Sequence, residues 1–204
     1  MKLDLKWMIG FVAALLLTPV VSAQEKSVVS WDFDAVRDGK IRDAVGGIDD
    51  AVAGHFRIVP GVKGQALVMD GYTTCIVRRA AQFPRLGQEF SMEAWVALGA
   101  YPWNWAPFAA QENTVSLNSN LDAASWPDDI TLNSPLAGFY FGVGPQGHLG
   151  LYVGAGGWVV CRSENPIPLG KWTHVAAVFR GGEGISLFIN GRKAGETAVK
   201  ANFR

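Results

Sequence analysis

Helical periodicity, clustered cysteines and basic runs are all missing from these 204 residues. No long window repeats apolar residues at the helical period of 3.6, which argues against a helical fold. The 18 basic and 18 acidic side chains balance and do not cluster, so nucleic acid and anionic membranes are not expected partners. The three histidines and two cysteines do not stand at zinc-ligand spacing, so we expect no zinc site.

Recognisable catalytic motifs are missing as well. Glycoside hydrolysis usually needs two carboxylates, but Glu93 has no second acid near it on its predicted strand. We therefore expect Glu93 to be a structural acid paired with an arginine or lysine. The G-x-G-x-x-G match at 142–147 precedes a strand rather than a helix, which excludes a dinucleotide site. With no G-x-S-x-G elbow, the chain as given is predicted not to be an enzyme.

The first 23 residues are predicted to be a secretory signal peptide. Lys2 and Lys6 precede an apolar run, and small residues at 21–23 mark a cleavage site. The run is shorter than the ~20 residues of a membrane span, and an uncleaved anchor is the alternative. Cleavage removes two lysines and one aspartate, which leaves 16 basic and 17 acidic side chains. The secreted remainder (extracellular or periplasmic), residues 24–204, suits one β domain.

Short alternating runs separated by turn residues fill most of this domain. We expect strands at 28–33, 65–69, 72–78, 90–98, 137–143, 148–153, 158–162, 172–179 and 185–189. Asp70-Gly71 is expected to join two of these strands as a hairpin, and 34–50 is expected to be a polar loop. Asn190-Gly191 is the strongest hairpin signal, because both residues tolerate positive φ. The pattern predicts an all-β fold, an antiparallel β-sandwich.

The segment 101–135 interrupts this pattern and is predicted to be a long functional loop. Tryptophan rings can stack on the apolar face of a sugar, while amides and carboxylates bond its hydroxyls. The predicted ligand-binding residues are Trp103, Trp105, Trp126, Asn104, Gln111, Asn113 and Asp128. The alternative is that the loop tryptophans cap the end of the sandwich. Trp31, Trp95 and Trp172 lie in predicted strands and are expected in the core, and His174 is expected to be a hydrogen-bonded strand residue.

Several segments, taken in order, resemble a known family. They are an opening strand at 29–33 followed by Asp34, Asp-Ala-Val-Gly-Gly at 43–47, Gly-x-x-Gly-x-Ala-Leu-x-x-Asp-Gly at 61–71, Phe-Ser-x-Glu-x-Trp-Val at 90–96, and Trp-x-His-Val-Ala at 172–176 with Asn190-Gly191. Together they resemble the laminin-G-like, concanavalin A-like jelly roll of secreted bacterial proteins. The resemblance implies the fold rather than a ligand. Because the family's closing segment does not follow, we expect the chain to be incomplete at its C-terminus.

Metal ligands and a disulfide are also considered. The resemblance implies a Ca²⁺ site on loop carboxylates, for which Asp43, Asp70 and Asp34 are the candidates. The alternative is that Asp43 and Asp70 form Asx-turns. Cys75 and Cys161 could pair in an oxidising compartment, or could be two unrelated buried thiols.

These observations favour a secreted, non-catalytic, lectin-like module that binds polysaccharide or glycan through its loop tryptophans. Two alternatives stay open. One is an N-terminal accessory module of a larger secreted glycoside hydrolase, whose catalytic domain lies downstream in the same polypeptide; resemblance to modules of fructan-cleaving enzymes suggests it. The other is a protein-adhesion module that uses a loop surface.

Overall fold

The computed structural model describes residues 27–112 and 138–203. Within these ranges the chain forms β-strands and a single 3₁₀ turn at Ala80–Gln82, and no helix is long and apolar enough to cross a membrane. The N-terminal strands are β1 (Lys40–Arg42), β2 (Asp49–Ala53), β3 (Phe56–Pro60), β4 (Gln65–Met69) and β5 (Cys75–Val77). The later strands are β6 (Glu89–Val96), β7 (Ala106–Glu112), β8 (Gly138–Val143), β9 (His148–Gly154), β10 (Trp158–Pro166), β11 (Thr173–Arg180), β12 (Gly184–Ile189) and β13 (Arg192–Ala198).

Strands β6–β13 form two four-stranded antiparallel sheets that face each other. The front sheet has the order β10-β9-β8-β7, and the back sheet has the order β13-β12-β11-β6. Alternate residues of each strand point into a shared apolar core, as the two-residue period requires. The largest fully buried side chains there include Phe141 and Leu151 from the front sheet and Phe179 and Leu187 from the back sheet. Burying each such side chain contributes about 1.5–3 kcal/mol.

The two sheets meet along one edge of the sandwich. The Thr197 hydroxyl of β13 donates a hydrogen bond of 3.2 Å to the Val160 carbonyl of β10. A Cβ at Gly195 would lie 2.3 Å from the Arg162 carbonyl oxygen, so only glycine allows the two strands to approach this closely. At the opposite edge, residues 97–105 cross from β6 of the back sheet to β7 of the front sheet. This crossing carries two of the tryptophans predicted to bind a ligand, Trp103 and Trp105.

The N-terminal residues form two small sheets, of order β1-β2-β5 and β3-β4. The first is organised around Arg78, whose side chain is 4% exposed and whose guanidinium contacts both Asp43 and Asp50. The Trp31 indole N–H donates to Asp50 at 2.8 Å, and the Arg78 guanidinium carbon lies 5.3 Å from the Trp31 ring. The hydrogen bond to Asp50 raises the pKa of Arg78 above its ordinary value, so the cation stays charged.

Several sequence predictions are confirmed by this fold. The antiparallel sandwich is present, and six of its eight strands lie close to their expected limits. The other two were not predicted, and one of them corrects the loop expected at 101–135: residues 106–112 form β7, which pairs with β8. Asn190 and Gly191 have φ values of 49° and 74°, and they join β12 to β13 as a hairpin. The turn at 144–147 joins β8 to β9, with the Gly147 N–H bonded to the Gly144 carbonyl at 2.9 Å.

The N-terminal predictions are less accurate. No strand forms at 28–33, where Phe33 takes a positive φ of 61°, and the predicted loop at 34–50 instead contains β1. Asp70-Gly71 does not make a hairpin, because β4 pairs with β3 whereas β5 pairs with β2. The reason is local: the Asp70 carboxylate accepts hydrogen bonds from the N–H groups of Tyr72 and Thr73, which turns the chain away from β4.

The expected positions of two strand tryptophans are wrong. Trp95 is 53% exposed and Trp172 is 41% exposed. In β6 the partly buried residues alternate with exposed ones, so Trp95 lies on the outer face of the back sheet with Glu93. Trp31 is partly buried but belongs to no strand. Glu93 pairs with a histidine rather than with an arginine or lysine: its carboxylate lies 3.3 Å from His174 Nε2.

Of the two alternatives for the cysteines, the structure has the unrelated thiols: both cysteines are free, although only Cys161 is buried as expected. Cys75 is exposed on β5, opposite Ala53 of β2, in the small three-stranded sheet. Cys161 is buried on β10, opposite Leu151 of β9, in the core of the sandwich. The two thiols therefore occupy different sheets. Burial raises the pKa of Cys161, which keeps it a protonated, apolar core residue.

Candidate functional site

A short loop at the edge of the front sheet, residues 101–105 (the Trp103 loop), carries the most exposed of the predicted ligand residues that the structure describes. Its first anchor is Tyr101, whose hydroxyl donates to the Ile167 carbonyl at 2.9 Å. The Tyr101 ring lies against Gly147, where a Cβ would come within 2.3 Å of the ring. Gly147 also has a φ of 84°, so glycine serves both the turn and the packing.

The second anchor of the Trp103 loop is Trp105. Its ring meets the Tyr152 ring edge to face at 5.0 Å, a favourable geometry for two aromatic side chains. It also lies over Gly150, where a Cβ would come 3.0 Å from the edge of the indole. The absence of a side chain at Gly150 therefore makes the space that the indole occupies. Trp105 is thus tied to the outer face of the front sheet.

Between these anchors lies Trp103, which is 62% exposed. The next residue, Asn104, turns its side-chain oxygen back to accept a hydrogen bond of 2.7 Å from the Trp105 N–H. The rings of Tyr101 and Trp105 therefore fix the two ends of the loop by packing on glycines, while the Trp103 ring between them faces solvent. Such a loop loses little conformational entropy when a flat ligand settles on that ring.

The outer face of the front sheet beside this loop is also aromatic. Tyr152 and Tyr140 stand directly opposite each other on β9 and β8, and the Tyr140 ring lies 5.5 Å from the Trp158 ring. The indole nitrogen of Trp158 is buried and has no hydrogen-bond partner among the residues that the structure describes. Tyr140 and Tyr152 are themselves buried, so this layer supports Trp105 rather than presenting an open surface.

The structure brings only part of the predicted ligand set together. Trp103, Asn104 and Trp105 lie together in the Trp103 loop. Trp105 packs against Tyr152, which fits the alternative interpretation in which a loop tryptophan caps the sandwich. Gln111 lies six residues further along β7 than Trp105, which is roughly 20 Å at the rise of a strand. It is also opposite Phe139, a core residue, so its side chain faces inward. Three other predicted ligand residues lie outside the described residues: Asn113, Trp126 and Asp128.

The three candidate calcium ligands are engaged elsewhere. Asp43 accepts hydrogen bonds from the Ser30 and Val45 N–H groups and pairs with Arg78. Asp70 closes its own turn, as described above, and Asp34 accepts the Gln65 N–H at 2.7 Å. Both Asp43 and Asp70 form the Asx-turns of the alternative interpretation.

These carboxylates do not converge on a common point. In residues 27–112 and 138–203, no group of three or more acidic, histidine or cysteine side chains is placed to hold a metal ion. The three aspartates therefore do not fit a calcium site as a set. Calcium binding by this chain stays a prediction.

The sequence analysis missed one cluster of aromatic and titratable side chains, which lies on the outer face of the back sheet. Trp95 and His174 stand directly opposite each other on β6 and β11, and Glu93 lies beside them. The strict alternation of Phe90, Met92, Ala94 and Val96 was a sufficient signal, because it assigns Trp95 to the opposite face from the core.

Comparison with known proteins places the sandwich in a recognised group. Residues 70–204 match the family model of a laminin G domain, described as the concanavalin A-like lectin/glucanases superfamily. No curated protein matches the chain.

Solved structures that are similar to this chain include two bacterial proteins. Domain 4 of AbnA, a GH43 extracellular arabinanase from Geobacillus stearothermophilus solved in complex with arabinotriose, aligns with a TM-score of 0.52 and 17% identity, over 78% of this chain and 74% of that one. An S-layer domain-containing protein from Clostridium thermocellum (residues 221–444) aligns with a TM-score of 0.47 and 19% identity, over 86% of this chain and 74% of that one.

Proposed function

This chain belongs to the concanavalin A-like lectin/glucanases superfamily, and on that premise we propose that it is an extracellular, non-catalytic module that binds polysaccharide. The proposed contact is the Trp103 loop. The observation that carries the proposal is an indole that is 62% exposed on a loop whose two ends are fixed by aromatic packing. Tryptophan is enriched at binding surfaces, because its ring offers a large apolar area and its N–H a polar contact.

The chemistry of this loop suits a sugar. The apolar C–H face of a pyranose or furanose ring can stack on the flat Trp103 indole, and the Asn104 side chain can bond a neighbouring hydroxyl with its amide N–H groups. Only a few groups make contact, so each sugar unit binds weakly. A polymer with repeated units compensates, because many equivalent positions along it can engage the same ring.

The AbnA domain supports the choice of ligand class. That domain was solved with arabinotriose bound, and it has the same fold as this chain. Arabinan and arabinotriose are therefore the first probes to use. The same comparison favours a second candidate, in which this chain is an accessory module of a secreted glycoside hydrolase. The two candidates agree on the binding surface and differ only in what is attached to it.

A pull-down on insoluble polysaccharides tests this proposal. The panel includes arabinan, xylan, cellulose, chitin and fructan, and it is run with wild type, Trp103→Ala and Tyr72→Ala. Tyr72 is the matched control, because it is a loop aromatic that is 85% exposed on the N-terminal part. We expect wild type and Tyr72→Ala to bind at least one polysaccharide and Trp103→Ala to be lost from the bound fraction. Failure of the wild type on the whole panel, with retention of a protein partner instead, would favour adhesion.

A further inference from the structure

The outer face of the back sheet presents a second aromatic position, on the other sheet from the one that the Trp103 loop borders. Trp95 on β6 is 53% exposed, and its ring lies 5.3 Å from that of His174, at an interplanar angle of 57°. Trp172 precedes β11 and is 41% exposed. His174 stands directly opposite Trp95, so these two rings share the outer face, and Trp172 lies two residues before His174 in the chain. The result is an aromatic strip across two neighbouring strands.

Polar groups are placed at the edge of this strip. His174 Nε2 lies 3.3 Å from the Glu93 carboxylate, whose side chain is 75% exposed. The His174 backbone is held on its other side by Asn190: the His174 N–H donates to the Asn190 side-chain oxygen at 3.0 Å, and the Asn190 N–H donates to the His174 carbonyl at 2.8 Å. The imidazole therefore has a fixed position between an exposed ring and an exposed carboxylate.

We infer that Trp95, His174 and Glu93 form a second sugar-binding position, on the back sheet. The Trp95 indole supplies the surface on which a sugar ring stacks, and the Glu93 carboxylate accepts hydrogen bonds from its hydroxyls. The ligand class rests on the proposed function, but the site and its residues are independent of the Trp103 loop.

The surroundings of the strip favour a sugar over a protein partner. Charged side chains lie elsewhere on the same face of the sheet: Glu89 and Arg180 stand opposite each other at the far end of β6 and β11, and Lys193 pairs with Glu196 on β13. The core of a protein–protein interface is depleted of charged residues, and a stable interface needs about 800 Å² from each partner. A single sugar unit needs only one exposed ring with a few polar neighbours, which is what the strip provides.

Two positions on different parts of the sandwich would make the module bivalent. A polysaccharide engaged at one position is held near the other, so the second contact benefits from a high effective concentration. Loss of either ring is then expected to weaken binding to a polymer by about tenfold or more. Binding of a trisaccharide at one position would be reduced by a change at that position and not by a change at the other.

Tryptophan side-chain resonances of the whole chain provide a test at each position. Indole N–H peaks are recorded while arabinotriose or a soluble polysaccharide of the panel is added, and Trp95→Phe and Trp103→Phe identify the two peaks. We expect both peaks to move and saturate. Movement of the Trp103 peak alone overturns the second site and leaves the proposed function intact. Movement of the Trp95 peak alone overturns the Trp103 loop and supports the second site. If neither peak moves with any probe, both proposals fail.

A pair of matched variants distinguishes a direct contact by the Glu93 carboxylate from the effect of removing one negative charge from this face. Glu93→Gln and Glu89→Gln change the same group on the same face of β6, four residues apart. In affinity electrophoresis through arabinan, we expect Glu93→Gln to be retarded several-fold less than wild type and Glu89→Gln to match wild type. Equal retardation of the two variants would remove Glu93 from the site. Unchanged backbone amide spectra show that each variant is folded.

Discussion

Replacing Arg78 by methionine is expected to open the small sheet β1-β2-β5 selectively. Arg78 is the common partner of Asp43 and Asp50, whose side chains are 0% and 1% exposed. Methionine keeps much of the side-chain volume but removes the cation. Two buried carboxylates would then face each other without compensation, which is among the most destabilising changes in a protein interior.

The magnitude follows from the geometry. The nearer Asp43 and Asp50 oxygens both bond Arg78 Nη2, so they lie at most about 6 Å apart, where like charges repel by ~3 kcal/mol at an effective dielectric of 20. Removing one partner of a buried pair costs about 3–5 kcal/mol. Asp43 keeps its two N–H donors at Ser30 and Val45, so we expect the lower end of that range.

Hydrogen exchange followed by mass spectrometry measures this opening locally. A loss of ~3 kcal/mol accelerates exchange in β1 and β2 about 100-fold. The control is Arg42→Met, which removes the partner of Asp49 from an exposed pair with side chains 60% and 52% exposed. That change is worth at most ~1 kcal/mol, or about fivefold in exchange rate. Equal effects of the two variants would refute the assignment of Arg78 as the organising residue.

Three further predictions concern the cysteines, a glycine and the acid range. Cys75 should react with a thiol reagent in the folded protein and Cys161 only after unfolding; a mass matching a disulfide would contradict this. Gly150→Ala crowds the loop indole and should cost about 1–3 kcal/mol in urea denaturation, whereas Gly157→Ala, with open space around it, should not. Burial alone would raise the pKa of Asp43, but the hydrogen bonds to its carboxylate hold that pKa below its ordinary value. The ionised Asp43 therefore stabilises the fold fully above ~pH 4, and this stabilisation is lost as pH falls through the pKa of the folded state. We expect the loss to appear as faster hydrogen exchange in β1 and β2.

Features set by neighbouring residues could be predicted from the sequence. The alternation in β6 and the Asn190-Gly191 turn depend on a two-residue period and on a tolerance for positive φ, both of which are local. Trp95 shows the limit, because its apolar character suggested the core while the alternation assigned it to the outer face. The alternation was the better guide, since inward positions on a strand are fixed by the pleat.

The candidate site depends on pairings that are distant in the chain. Tyr101 packs on Gly147 and Trp105 packs on Gly150, and no local pattern shows which ring will meet which glycine. The same holds for Arg78, which joins two aspartates from different parts of the small sheet. The polar loop composition could suggest a ligand surface, but only the packing shows that Trp103 is exposed while Trp105 is packed against the sheet.

The most direct test of polysaccharide binding at the Trp103 loop is oxidative footprinting of the aromatic side chains. The folded chain is oxidised with and without a polysaccharide that retains it, and modification is quantified residue by residue. We predict that bound polysaccharide protects Trp103 and leaves Tyr72 as reactive as in the free protein. Equal oxidation of Trp103 in the free and bound states would contradict the account.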